Sequence, residues 1–307
     1  MNDIKKMTFI LHTLNGLISV TLYFINTVLL VLPLLVFSFF KLVPNATWQR
    51  WMSSIVEALA NRWILNNNIN QRIFSRTRFT LKGDTQLSLN SWYLVISNHQ
   101  SWVDILVLQR VFIGKIPFLK FFLKKNLIYV PFLGLAWWAL DFPFMQRYSR
   151  AFLEKHPHLK GKDLETTKKA CEKFEFKPVS VMNFVEGTRY LPAKAKSNEQ
   201  FQRLLPPKSG GVAFVLNSMG ERLTKLVNVT IYYPKDIPSY WEFICGKVEE
   251  IVIDVEIIDI NTLLRSGVFD ESYFNDDKQK RIFQDWMNQL WIDKDVKLEK
   301  MNQEYNN

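Results

Sequence analysis

The chain has 307 residues, is 48% hydrophobic and 14% aromatic, and carries a formal net charge of +10. That length supports one large core or one core with an appendage, and the apolar content excludes a disordered chain. The charge favours a polyanionic partner, and the cysteines Cys171 and Cys245, without CxxC spacing, leave neither a disulfide framework nor a zinc motif and fit a reducing compartment.

The N-terminus selects among the polyanions. From Met7 to Phe40 there is no Lys, Arg, Asp or Glu, a run longer than the ~20 residues needed to cross a bilayer. It is too long for a signal peptide, and no small-residue cleavage site follows it. This favours anionic lipid headgroups over nucleic acid as the partner. Lys5 and Lys6 precede the run while Lys41 and Arg50 follow it, so the flanking charge selects no orientation. One tilted span satisfies the pattern, as does a re-entrant pair of helices bent at Pro33. Thr47 to Leu65 predicts a second helix, in which Trp48, Trp51 and Trp63 mix with Arg50 and Arg62. That mixture suits a helix at headgroup level or one packed on a soluble core. Residues 1–70 are therefore read as a membrane-associated helical motif, and 71–307 as a second unit with a C-terminal helix.

Strand and helix patterns then interleave. Arg78–Lys82 and Trp92–Ser97 predict strands, and Trp102–Phe112 a helix stopped by Gly114. Leu119–Lys125 predicts a short helix carrying Lys120, Lys124 and Lys125. Asn126–Met145 has Asp141 as its single charge and is broken by Pro131, Gly134 and Pro143, which predicts a buried or membrane-facing wall of the site. Lys162–Phe174 predicts a charged helix, Val179–Phe184 a buried strand, Gly210–Met219 an apolar helix and Leu226–Tyr233 a strand. Glu250–Ile260 alternates like a half-exposed strand, and Asp277–Met301 predicts a polar C-terminal helix. The fold class this implies is α/β, a mixed, largely parallel sheet flanked by helices, behind an N-terminal membrane-associated helical motif.

Two of the predicted strands end in polar clusters. The first is Asn98-His99-Gln100-Ser101-Trp102-Val103-Asp104, and the second is Glu186-Gly187-Thr188-Arg189. Ligands of open α/β sheets bind beyond the carboxyl ends of strands, so neighbouring parallel strands would bring the clusters into one crevice. On one regular helix, residues five apart do not share a face. With His99 in the turn and Asp104 in the first helical turn, however, the carboxylate can orient the ring and leave its other nitrogen as a base. A helix cap beside a satisfied histidine explains the same residues. For the second cluster, Gly187 permits a tight turn, Thr188 offers a hydroxyl and Arg189 a planar fork suited to phosphate. Glu186 would hold Arg189 or accept from a substrate hydroxyl, and a solvated turn with a surface ion pair is the plain alternative.

In these motifs the chain resembles the glycerolipid (lysophospholipid) acyltransferases of the bacterial 1-acylglycerol-3-phosphate acyltransferase type. Asn98, His99 and Asp104 meet N-H-x-x-x-x-D. Phe184, Glu186, Gly187, Thr188 and Arg189 meet F-x-E-G-T-R. Between them Lys124 precedes Pro131 and Gly134, and Arg147 follows an apolar strand. The blocks stand in family order over roughly residues 75 to 235. Asn126-Leu127 replaces the usual Glu-Leu pair, and Asn228 stands where the family's last block has proline. With the run Leu205–Gly211, these departures look more like an inner-membrane branch related to lysocardiolipin acyltransferases.

What the resemblance implies is acyl transfer from acyl-CoA or an acyl carrier protein to a lysophospholipid hydroxyl. His99 would be the general base and Asp104 its orienting partner. Glu186, Gly187, Thr188, Arg189, Arg147 and Lys124 would hold the acceptor's phosphate. Neither a metal nor a cofactor is expected, and the implied location is the bacterial inner membrane with the catalytic part facing the cytoplasm. Hydrolysis of a thioester or lipid on the same site is the alternative reaction, and a non-catalytic, basic, tryptophan-rich protein that binds anionic membrane or nucleic acid is the alternative class.

Overall fold

A computed structural model of the chain describes residues 2–145, 177–191, 200–220 and 222–306. Helix α1 (Asn2–Phe40) and helix α2 (Ala46–Phe74) form an antiparallel hairpin. The chain reverses at residues 41–45, where Lys41 N donates to Ser38 O and Asn45 N to Val43 O. Asn45 then caps α2, its side chain accepting from Trp48 N at 3.0 Å. The bend expected at Pro33 is therefore corrected: Pro33 lies inside α1. A proline interrupts one backbone hydrogen bond, and the burial of Val31 and Leu34 on either side holds the helix together there.

Helix α2 runs past the expected end at Leu65. The Asn-rich stretch that follows is a poor helix former, but its side chains bond across to α1. Asn66 Nδ2 donates to Asn26 Oδ1 at 2.8 Å, Ser19 Oγ to Asn70 Oδ1 at 3.1 Å, and Gln71 Nε2 to the Tyr23 hydroxyl at 2.7 Å. This polar seam faces inward, so α1 presents Phe9, Phe24, Leu29, Val36 and Phe39 outward. Among the described residues, Lys6–Phe40 is the helix long and apolar enough to cross a membrane, and it suggests membrane association.

The sheet strands are β1 (Arg78–Gly83), β2 (Trp92–Ser97), β3 (Leu119–Phe121), β6 (Ser180–Phe184), β7 (Leu223–Tyr232) and β8 (Glu250–Asp259), in the order β1-β8-β7-β2-β6-β3. Every pairing is parallel except β7 with β8. Central strand β2 is buried on both faces, which is why it reads as an unbroken apolar run. Tyr93 and Val95 face one core with α1, α2 and α3 (Val103–Phe112). Leu94 and Ile96 face the other, with α5 (Gly210–Met219) and the C-terminal helix α8 (Asp277–Asn306). Between β7 and β8 lies the short helix α6 (Tyr240–Ile244), and α7 (Ile260–Arg265) follows β8.

The helix expected over Leu119–Lys125 is not formed. Leu119 pairs with Ser180 and Phe121 with Met182, which makes β3 an edge strand. After it come strand β4 (Leu123–Lys124) and a 3-10 turn, Lys125–Tyr129. A short apolar run is ambiguous by periodicity, and the open edge of β6 decides it. Helix α4 (Leu133–Ala139) and strand β5 (Phe144–Met145) complete this region, with Lys124 paired to Met145. The helix expected over Lys162–Phe174 lies outside the described residues.

Candidate active site

Strands β2 and β6 are adjacent and parallel, with Ser97 level with Phe184. The polar clusters that follow them therefore emerge side by side, as the sequence suggested. The first turn is fastened by Asn98, whose amide donates to Ile231 O and accepts from Ile231 N, both at 2.9 Å. The side chain thus acts as an extra rung against β7. His99 N donates to Glu186 Oε1 at 3.2 Å, and His99 O accepts from Tyr190 N at 2.7 Å. Its ring stacks on Phe184 with centroids 3.9 Å apart.

Asp104 sits in the first turn of α3, fully buried, where the helix N-terminus favours a carboxylate. Its Oδ2 accepts from Gln100 N at 2.6 Å and Ser101 N at 2.9 Å, and lies 2.9 Å from His99 Nδ1. Because the carboxylate is the acceptor, Nδ1 carries the hydrogen and Nε2 is left as the basic nitrogen. Oδ1 accepts from the Tyr233 hydroxyl at 2.5 Å. Burial, and then the Asp104 charge, push the Tyr233 phenol well above its ordinary range, so it remains a donor. The same Oδ2 fastens the backbone of the turn at Gln100 and Ser101 and orients the ring, while α3 itself has no side-chain cap hydrogen bond.

In the second cluster Gly187 has φ +70°, a conformation that glycine adopts without strain, and its N–H closes a turn onto Phe184 O at 2.9 Å. Arg189 does not pair with Glu186. Its guanidinium lies 4.5 Å over the ring of Trp102, at the rim of the first cluster. Glu186 points inward and is only 1% exposed, so the expected contact with substrate is corrected. Its carboxyl accepts from His99 N and, at 3.3 Å, from Leu205 N. Burial pushes it up to about 8, against the pull of those hydrogen bonds and of Lys294. Lys294, on α8, is itself buried and pushed down to about 7 by desolvation, and it donates to Val229 O at 2.5 Å. Glu186 is thus a brace under the His99 turn. Thr188 is half-buried beside Arg189. Lys124 is placed by its backbone in β4, and Arg147 lies outside the described residues.

His99, Trp102 and Phe184 line an apolar cleft of about 540 Å³. Leu34 of α1, Ala60 of α2, Ile105 of α3 and Ala136, Leu140 and Phe142 from the 126–145 segment line the rest. That segment therefore supplies a wall of the site, as its composition predicted. A larger cleft of about 720 Å³ lies between the hairpin turn and β3. Within it Lys41 pairs with Asp141 at 2.6 Å and Lys177 with Glu57 at 2.5 Å, and His99 does not line it. Two features of the site escaped sequence reading, Tyr233 and the inward aim of Glu186. No local spacing signals either one.

Comparison with known proteins gives three kinds of likeness. A family model described as "Acyltransferase" matches residues 78–234. The 1-acyl-sn-glycerol-3-phosphate acyltransferase 3 of Arabidopsis thaliana is 25% identical over 224 residues, 67% of this chain and 53% of that protein. The 1-acyl-sn-glycerol-3-phosphate acyltransferase 2 of Brassica oleracea is 26% identical over 179 residues, 53% of this chain and 42% of that protein. The chain spans about half the length of the curated relatives it matches. The crystal structure of the 1-acyl-sn-glycerophosphate acyltransferase PlsC from Thermotoga maritima superposes with a TM-score of 0.50 at 16% identity, covering 92% of this chain and 96% of that one. This last likeness is one of fold.

Proposed function

The chain belongs to the acyltransferase family, and from that premise we propose that it moves a fatty acyl group from a thioester to the hydroxyl of a lysophospholipid. The donor is acyl-CoA or an acylated carrier protein, and the acceptor is 1-acyl-sn-glycerol-3-phosphate or a related lysolipid. One observation carries the reading: His99 is oriented by a buried carboxylate and opens onto an apolar cleft deep enough for a lipid tail. The relatives described above are 1-acyl-sn-glycerol-3-phosphate acyltransferases, which supports this acceptor.

In the proposed reaction His99 Nε2 takes the proton of the lysolipid hydroxyl as its oxygen bonds to the thioester carbonyl carbon. The carbon–sulfur bond then breaks, and the departing thiolate takes a proton from the imidazolium. Asp104 stabilises that imidazolium and keeps the ring in place. The lipid hydroxyl is the nucleophile, so the chemistry requires no covalent enzyme intermediate, metal or cofactor. On this reading Arg189, whose guanidinium fork suits phosphate, and Thr188 hold the acceptor's phosphate, with Lys124 and Arg147 as the further candidates that the family resemblance implies.

The same reading gives α1 a position. His12 Nδ1 lies 2.8 Å from Cys245 O, Gly16 backs onto Trp241 and Cys245 so closely that a Cβ would collide with them, and Lys41 pairs with Asp141. From His12 to Lys41 an α-helix covers about 44 Å at 1.5 Å per residue, more than the ~30 Å hydrocarbon core. A helix fastened to the α/β domain over that length lies along the membrane, with its outward phenylalanines and leucines in one leaflet. Leu34 then borders the cleft from the lipid side. A thioester donor of cytoplasmic origin supports the inner membrane and its cytoplasmic face as the location.

The test is a panel of lysolipids given to the full chain in vesicles, with one labelled acyl donor and mass-spectrometric readout. Diacyl product that depends on the lysolipid is expected. Free fatty acid released at the same rate with or without lysolipid would replace transfer by hydrolysis. In the same panel Arg189→Ala should raise the KM for phosphate-bearing lysolipids about tenfold or more, the worth of a charge-assisted hydrogen bond, with little change in kcat. Ala136→Phe should shift the products toward shorter acyl chains by filling the cleft. An unchanged chain-length profile would place the acyl chain elsewhere.

A further inference from the structure

The end of β7 and the segment that follows it are tied to the catalytic turn at successive points. Ile231 is held on both its N–H and its carbonyl by Asn98. Two residues on, the Tyr233 hydroxyl donates to Asp104 Oδ1 at 2.5 Å. Further along, Pro238 O accepts from Ser101 Oγ at 2.5 Å. The position of Tyr233 is thus set by a neighbour already locked to the turn, and its own side chain is only 5% exposed.

The contact is asymmetric in a way that matters for chemistry. Asp104 Oδ2 serves the two backbone N–H groups of Gln100 and Ser101 as well as His99 Nδ1. Oδ1 serves the phenol. We propose that Tyr233 is a positioning residue for acyl transfer, holding Oδ1 so that Oδ2 stays aimed at His99 Nδ1, and drawing off part of the carboxylate charge that steadies the imidazolium. The inference rests on the reading of His99 as general base. The titratable groups that face Asp104 are His99 from the turn after β2, Tyr233 from the end of β7 and Glu186 from the turn after β6.

Removing the phenol has two separable consequences. Asp104 loses one tether, so His99 is less well aimed and kcat falls. The charge on Asp104 is also less dispersed, which favours the protonated imidazole and moves the acid limb of the kcat/KM–pH profile upward. In Tyr233→Phe, kcat should fall about ten- to a hundredfold, as for one charge-assisted hydrogen bond, with KM for both substrates nearly unchanged. The acid limb should rise by about half a pH unit or more. A ring-fluorinated tyrosine at 233 keeps the shape and donates more strongly, so its acid limb should move down.

The experiment is the pH profile of the wild type, Tyr233→Phe, the fluorotyrosine protein and His99→Ala. Opposite displacements of the limb in the two Tyr233 proteins are the expected result. A limb that stays put in both, with kcat unchanged per folded molecule, would overturn the positioning role and leave Tyr233 as packing. If Tyr233→Phe fails to fold, the fluorotyrosine protein decides alone. His99→Ala separates the two readings: substantial activity there defeats the general base itself. An inactive His99→Ala with unmoved Tyr233 profiles defeats the Tyr233 proposal alone.

Discussion

His99→Ala should lower acyl transfer about a hundred- to ten-thousandfold, the range spanned by an oriented general base, while leaving membrane association and the fold intact. The size follows from the role: without an acceptor for the hydroxyl proton, the attacking oxygen remains a neutral alcohol. The persistence of the fold follows from how the turn is built. Asn98 stays bonded to Ile231, and the backbone N–H and carbonyl of residue 99 keep their partners Glu186 and Tyr190. Asp104 keeps Gln100 N, Ser101 N and the Tyr233 hydroxyl. The apolar face of α1 does not involve the ring. Turnover of the variant in the labelled-donor assay, set against sedimentation with vesicles, reads both halves of the prediction. Near wild-type turnover would end the assignment of His99 as base.

Glu186→Ala should cost about 2–4 kcal/mol of stability and lower turnover as well. The truncation leaves the buried N–H groups of His99 and Leu205 without their acceptor, each at about 1–3 kcal/mol. It also removes the nearby carboxyl from the environment of buried Lys294. Turnover falls because His99 N is one of the tethers that set the ring's position. Urea denaturation of the variant measures the first effect, and a loss below about 0.5 kcal/mol, the size of an ordinary surface substitution, would contradict the bracing role.

The same residue predicts a pH dependence. In the folded chain the Glu186 carboxyl titrates near 8, and in the unfolded chain at the ordinary 4.5. Below 4.5 both states hold the proton. As pH rises from there toward 8, the unfolded state releases it while the folded state keeps it, so this group makes stability fall across that window. Glu186→Gln has no such proton, and between pH 5 and 7 its melting temperature should drop less than that of the wild type. Lys294 pushes the same way in the comparison. Without the carboxyl its ammonium titrates lower still, which makes the variant relatively less stable at the acid end.

The sequence alone was enough for much that depends on local spacing. The uncharged run over residues 7–40 declares a helix long and apolar enough to cross a membrane. The period-two and unbroken apolar runs declare β2, β6 and β7. A polar cluster after β2 and another after β6 mark the carboxyl end of the parallel strands, where open α/β sheets bind ligands, and the five-residue spacing of His99 and Asp104 suits a turn leading into a helix. Short-range propensity also misled at three places, and in each a tertiary partner overrode it. The Asn-rich end of α2 is helical because α1 supplies hydrogen-bond partners. Leu119–Phe121 is a strand because β6 has an open edge. The hairpin turns at residues 41–45 because Asn45 caps the next helix and packing carries α1 through Pro33.

What only the tertiary structure decided is the direction of side chains. Glu186 and Arg189 read alike as surface groups three residues apart, yet one turns under the His99 backbone and the other out over Trp102. Tyr233 reaches Asp104 from 129 residues away because β7 lies beside β2 in register. A sequence encodes periodicity and turn chemistry over a few residues. Which donor meets which acceptor across the sheet is set by strand order and register, and those emerge only when the whole core is packed.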